Sequence, residues 1–178
     1  MIRAAIAFIV LVISTLIGPQ PTRSQDWSPP QDSVLNATRV IDTYFSLLDS
    51  GDPERAFQMM DDAAKASISV TAFAEQSDEF HSRSGPLLQR RLLKFTWLKD
   101  PADAPLPGIY VAVDIATKFE KIDRHCGYVA LYQKPSGGAF HVMRAESNFI
   151  DNAAAMKMAK FELDKAWAEL SRNCPASR

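Results

Sequence analysis

The 178-residue chain sets 20 Lys and Arg against 21 Asp and Glu, a formal net charge of −1, and 47% of it is hydrophobic. Near-neutrality argues against nucleic acid or an anionic membrane surface as partner, because both reward a concentrated positive field. The length allows one domain with a core of its own, not two.

The first predicted element is a secretory signal peptide over residues 1–24. Arg3 supplies the positive start, Ala4–Ile17 an apolar run, and Gly18, Pro19 and Pro21 break it before Thr22 and Ser24 place small residues at the −3 and −1 positions of a cleavage point. As a helix the run rises about 21 Å, short of the roughly 30 Å hydrocarbon core of a bilayer. The expected localisation is periplasmic or secreted, with no stable membrane span after cleavage; an uncleaved anchor is the alternative. Cleavage removes Arg3 and Arg23 and no acid, which takes the formal charge to −3.

Residues 25–32 read as a flexible, proline-bearing leader. From residue 33, Val34, Ala37, Ile41, Tyr44 or Phe45, and Leu48 recur at helical spacing, and Gly51 ends that helix. Asp52-Pro53 opens a second helix as cap and first residue, with Ala56, Phe57 and Met60 on its buried side. Ala66–Val70 reads as a short strand. A third helix spans about Thr71–Ser84, with Phe73 and Phe80 inward, and stops at Gly85-Pro86.

The period then changes from 3.6 to 2.0. In Leu87–Leu98 the residues Leu87, Leu93, Phe95 and Trp97 share one phase, opposite Arg90, Lys94 and Thr96. A Pro-rich loop leads to Ile109–Glu120, where Ile109, Val111, Val113, Ile115 and Phe119 alternate with polar or small residues. Cys126–Gln133 and Ala139–Ile150 are two further strands, joined by a turn at Pro135–Gly138. The last element is a single helix over about Asn152–Arg172 with Met156, Ala159, Leu163, Trp167 and Leu170 in line. The domain plan is therefore signal peptide (1–24), leader (25–32), α+β domain (33–150), and C-terminal helix and tail (151–178). The fold class is α+β, with N-terminal helices packed on one face of a curved, cone-shaped antiparallel sheet, plus the C-terminal helix.

Two cysteines, Cys126 and Cys174, follow the export signal. In an oxidising compartment an even count invites pairing, and a 48-residue separation would restrict the unfolded chain by roughly 4 kcal/mol in the entropy model. A Cys126–Cys174 disulfide is the expectation. No C-x-x-C suggests a redox dithiol.

Ala37–Phe57 (ATRVIDTYFSLLDSGDPERAF), with its helix ending in Leu-Asp-x-Gly-Asp, resembles the opening of the bacterial family called domain of unknown function 4019. The likeness continues through Ser69–Phe73, Gly85–Arg90 (GPLLQR) and Leu106–Phe119, and covers roughly Asn36–Ile150. The resemblance implies the nuclear-transport-factor-2-like superfamily, a cone-shaped α+β fold that includes ketosteroid isomerase. It brings no activity with it. Two departures stand out: Gly127 where a Glu tends to precede the third long strand, and Phe140–Ala145 where the last strand is usually Trp-x-x-x-Gly-Tyr.

The best polar constellation is Arg90, Arg91, Arg144 and Glu146. If Phe140 and Val142 face inward, alternation carries Arg144, Glu146 and Asn148 to the same face. Converging arginines in an apolar hollow would recognise a carboxylate or phosphate; pairing of Arg144 and Glu146 with neighbours at the open rim of the sheet would only hold strands together. His81, His125 and His141 show no ligand spacing, so no metal is expected, and no nucleotide fingerprint or other cofactor motif is present. Asp114 is out of phase with the apolar face, and His125 and His141 are out of phase or in a turn. The function expected is non-enzymatic binding of a small molecule or an envelope protein. A lyase or isomerase of the ketosteroid-isomerase type is the first alternative. The other is a structural protein whose hollow is filled by Leu93, Phe95, Trp97, Phe119 and Phe140. Docking of the last helix on its own sheet competes with a homodimer across the sheet.

Overall fold

Helix α1 (Gln31–Asp49) buries the predicted stripe, with Ala37, Ile41 and Tyr44 inside the core. The computed structural model describes residues 27–172 and Cys174, so the expected signal peptide and the last four residues lie outside the described residues. Gly51, at φ 75°, lets the chain reverse into α2 (Pro53–Gln58), where the Asp52 carboxylate accepts the Arg55 N–H at 3.2 Å as expected of the Asp-Pro start.

The short strand expected at Ala66–Val70 is absent. Ala66 and Ser67 end a helix α3 (Asp62–Ser67), and Val70 begins α4 (Val70–Ser84). The side chains of Asp61 and Ser69 accept the N–H groups of Ala64 and Ala72, at 2.7 and 3.1 Å. Those two caps outweigh the β-branched character of the run. The strand-like contact falls earlier. Met60 bridges Val142, whose N–H donates to Met59 O and whose carbonyl accepts the Asp61 N–H, both at 2.9 Å.

Strands β1 (Leu87–Lys99), β2 (Ile109–Phe119), β3 (Ile122–Gln133) and β4 (His141–Asp151) form an antiparallel meander in sequence order. The α+β plan holds, but the sheet is neither closed nor strongly curled. Four strands joined in order give an open twisted sheet with β1 and β4 as edges, not the expected cone.

Two β-bulges decide which residues face the helices. Leu92 pairs with Ile115 and Lys94 with Asp114, so Leu93 is an extra residue in β1. Ala130 pairs with Arg144 and Leu131 with Val142, so Met143 is an extra residue in β4. One extra residue exchanges the faces of everything beyond it. The helix-facing set is therefore Arg90, Leu92, Phe95 and Trp97 on β1, and Val142, Ala145, Ser147 and Phe149 on β4. Leu93 does not share the phase of Phe95.

Along half of this inner face Val111, Val113, Val129, Leu131 and Val142 are buried against α1 and α2. Each such side chain contributes about 1.5–3 kcal/mol. Trp97 lies over Phe95 and meets Phe140 edge-on at 5.9 Å, closing that end.

The outer face carries the C-terminal segment, which is not one helix. The Asp151 carboxylate caps a short α5 (Asn152–Ala155), the chain extends at Ala159, and α6 (Lys160–Leu170) starts with the Glu162 carboxylate accepting the Ala159 N–H at 3.2 Å. Asn152 is fixed to the β2–β3 turn by bonds to Lys121 O and Glu120 O, at 2.8 and 3.1 Å. Cys174 is tied to Cys126 with Cα atoms 6.0 Å apart, the expected disulfide. A straight helix cannot satisfy both anchors, and tertiary fixation overrides good local helix propensity. Of the expected stripe, Leu163 and Trp167 are half-buried, while Met156 and Leu170 are exposed. Arg124 holds α6 by donating to Leu163 O at 3.3 Å and Asp164 Oδ1 at 2.8 Å. Among the described residues no helix is long and apolar enough to cross a membrane.

Candidate functional site

At the end of the inner face away from Phe140, the sheet and helices do not close. A chamber of about 310 Å³ lies between α1, α4 and all four strands. Tyr44, Phe45 and Phe73 come from the helices, with Phe80 standing between Phe119 and Phe149 at 5.3 Å from each ring. The walls are thus mainly aromatic, as in sites that take compact apolar bodies. Ala145 and Ser147 line the chamber from β4 and are exposed, which puts its mouth along that strand.

Arg90 is the one expected site residue inside. Its Nη atoms donate to both carboxylate oxygens of Asp49, the longer bond being 2.9 Å, and its guanidinium lies 4.2 Å over the Phe45 ring. Asp49 and the stacking fix the guanidinium plane but leave Nε, which is buried and has no hydrogen-bond partner.

His125 pairs with Phe149 across β3 and β4 and enters the same chamber. Its ring meets Phe119 edge-on at 5.4 Å. Burial, with the Arg90 charge adding to it, pushes its pKa down from 6.5 to about 4. The imidazole is therefore neutral near pH 7, with one nitrogen as donor and the other as acceptor. Its Nδ1 is buried without a partner, and so is Oγ1 of Thr117, the β2 residue paired with Arg90. These three atoms are the only buried side-chain polar atoms without partners among the described residues. All three belong to residues of this one chamber.

The other expected site residues lie elsewhere. Arg91 projects from the outer face beside Ala116. Arg144 and Glu146 also face outward, as an ion pair with each other, because the Met143 bulge reverses the alternation that carried them inward. The four candidates therefore do not converge. His125 and Thr117 escaped the sequence reading for other reasons: Thr117 shares the phase of Ile115 and Phe119 and was legible as an inward residue, while His125 was lost to a strand boundary. Beginning the third strand at Cys126 left His125 in a turn, whereas running the Val129–Leu131 phase back four residues brings it inward. Among the described residues no cluster of three His, Cys, Asp or Glu could hold a metal ion.

The chain matches the family model "Protein of unknown function (DUF4019)" over residues 41–143, more than half its length, and belongs to that family. The matched stretch contains Asp49, Arg90, Thr117 and His125 but ends at the Met143 bulge. No curated protein and no solved structure matches the chain.

Proposed function

From its place in the DUF4019 family, which brings no activity, we propose that the chain is a binding protein for a small molecule. The ligand has a compact, mainly aromatic or alicyclic body and at least one oxygen. The observation that carries this reading is the coincidence of all three unpartnered buried polar atoms with one aromatic chamber. Leaving such an atom unsatisfied costs about 1–3 kcal/mol, so a ligand that supplies partners recovers that energy on binding. Arg90 Nε can only donate. Thr117 and neutral His125 can donate or accept, which fits a carbonyl, hydroxyl or carboxylate edge.

Binding is favoured over turnover by the state of the ionisable groups. A proton-transferring isomerase works best with a base whose pKa lies near the working pH. His125 sits at about 4, and Asp49 is held by Arg90. Filling of the hollow by its own side chains applies only to the end closed by Phe95, Trp97 and Phe140.

The reading includes export to the periplasm or medium. The Cys126–Cys174 bond supports it, since such bonds persist in oxidising compartments.

The test is equilibrium dialysis of the chain against naphthol, a neutral bicyclic probe of suitable size. Saturable binding of one probe per chain is expected, abolished by Ser147→Trp at the mouth with no change in melting temperature. Absence of saturable binding, or binding untouched by Ser147→Trp, would overturn the reading.

A further inference from the structure

Strand β4 is an edge of the sheet, and one end of that edge is already in use. Val142, whose side chain is buried inward, turns its N–H to Met59 O and its carbonyl to the Asp61 N–H, so that Met60 runs beside it in parallel. Along a strand the face taken by a side chain and the side taken by its backbone groups alternate together. Ala145, Ser147 and Phe149, inward beyond the Met143 bulge, therefore turn their N–H and C=O groups toward the same edge. Among the described residues no backbone group pairs with them there.

The unpaired edge and the mouth of the chamber coincide. Ala145 and Ser147 are exposed at that mouth, and their side chains are too small to close it. The free stretch runs from the Met60 bridge to Arg83, which lies 5.0 Å from the centre of the Phe149 ring and donates to Asp151 at 3.0 Å. The charges along it are matched in pairs: Lys65 with Asp62 on α3, Arg144 with Glu146 on the outer face, and Arg83 with Asp151 at the far end. An uncharged strand is therefore the complementary partner.

We propose that β4 receives a short, uncharged, extended peptide as a fifth strand, with a tyrosine side chain of that peptide in the chamber. This rests on the chamber reading and names its ligand. Main-chain bonds to Ala145 and Ser147 supply affinity and the chamber selects the side chain, the division of labour found where strands add to sheet edges. An added strand lies about 4.8 Å from β4, so an inward side chain on it stands directly at the mouth. A tyrosine brings both an oxygen and a ring that the aromatic walls accept. A free ring compound fills the chamber but leaves the edge unpaired.

The probe is the capped peptide acetyl-Thr-Thr-Tyr-Thr-Thr-amide, titrated into the oxidised chain alone and against bound naphthol. One peptide should bind per chain and displace naphthol, and alanine in place of its tyrosine should weaken binding about tenfold or more. Alternate amides of an added strand point at β4. Methylating the tyrosine nitrogen in one peptide and the next threonine nitrogen in another should therefore abolish binding in one and spare it in the other, which capture of the ring alone would not produce. A peptide that leaves naphthol in place, an alanine peptide that binds equally well, or two methylated peptides that both bind like the parent would overturn the strand site and leave the chamber reading intact. If naphthol itself fails to bind, both readings fall.

Discussion

Lowering the pH from about 7 to about 5 probes the burial of His125. In the unfolded chain its imidazole takes up a proton below 6.5, whereas in the folded chain it does so only near 4. Within that window the unfolded state binds the extra proton, so stability rises with pH. The stabilising effect of keeping the imidazole neutral is complete above about 6.5 and shrinks as the pH falls. The slope is about 1.4 kcal/mol per pH unit, which gives a loss of about 2 kcal/mol by pH 5 and about 3 kcal/mol near pH 4. Asp114 acts in the opposite sense, because burial raises its pKa and protonation then favours the folded state. Asp62, Asp151 and Asp164 have pKa values lowered by their cationic or backbone donors. Their contribution fades only as the pH drops through the lower carboxylate range. Urea unfolding followed by circular dichroism at the two pH values, at constant ionic strength, measures the loss. His125→Gln should remove most of the slope. A wild type equally stable at both pH values, or a slope that persists in His125→Gln, would refute the argument.

Three further outcomes follow from the packing. A Cβ at Gly127 would stand 2.2 Å from the Glu146 carbonyl oxygen, which is backbone and cannot turn aside; Gly127→Ala should therefore cost about 3 kcal/mol in urea unfolding, and a neutral result would disprove the close approach. Asp49→Asn leaves the Arg90 guanidinium, only 15% exposed, without its anion, and should cost about 2 kcal/mol and loosen naphthol binding, whereas an unchanged midpoint would mean the pair is solvated. Replacing both cysteines, Cys126→Ser with Cys174→Ser, should destabilise the chain by up to about 4 kcal/mol and raise amide exchange in α6 before the sheet; uniform exchange would place the bond's effect elsewhere.

The sequence announced most elements because their signals were local. Asp52-Pro53, Gly85 and the Val111–Val113–Ile115 alternation each specify a start, a stop or a face without reference to the rest of the chain. The disulfide was also legible, since an expected export signal and an even cysteine count left one pairing. The missed caps at Asp61 and Ser69 were local, but the misplaced faces of β1 and β4 have their origin in long-range geometry. Nothing about Leu93 or Met143 marks either as a bulge, since each is an ordinary apolar residue in a strand. Each is extra only in relation to its partner strand. A reader who carries the Val142 phase across Met143 arrives at Arg144 and Glu146; the protein arrives at Ala145, Ser147 and Phe149. The broken terminal helix is of the same kind, since its two anchors, on the β2–β3 turn and on Cys126, lie far away in sequence.

The bulges also explain why a chamber exists at this end. Beyond the Leu93 bulge, β1 presents Phe95 and Trp97 inward, large side chains that meet Phe140 and fill the space beneath α1. On the near side it presents Arg90, whose guanidinium is drawn to Asp49 and so does not fill the hollow. Past its own bulge β4 presents Ala145 and Ser147, too small to reach α4. An unbulged pair of edge strands would have turned Arg91 inward on β1 and Arg144 and Glu146 inward on β4, placing three charges in the aromatic chamber. The shifts exchange them for one tethered arginine and two small residues, and send Arg91 to the outer face. The same irregularity that misled alternation thus keeps the chamber open and puts positive charge behind it.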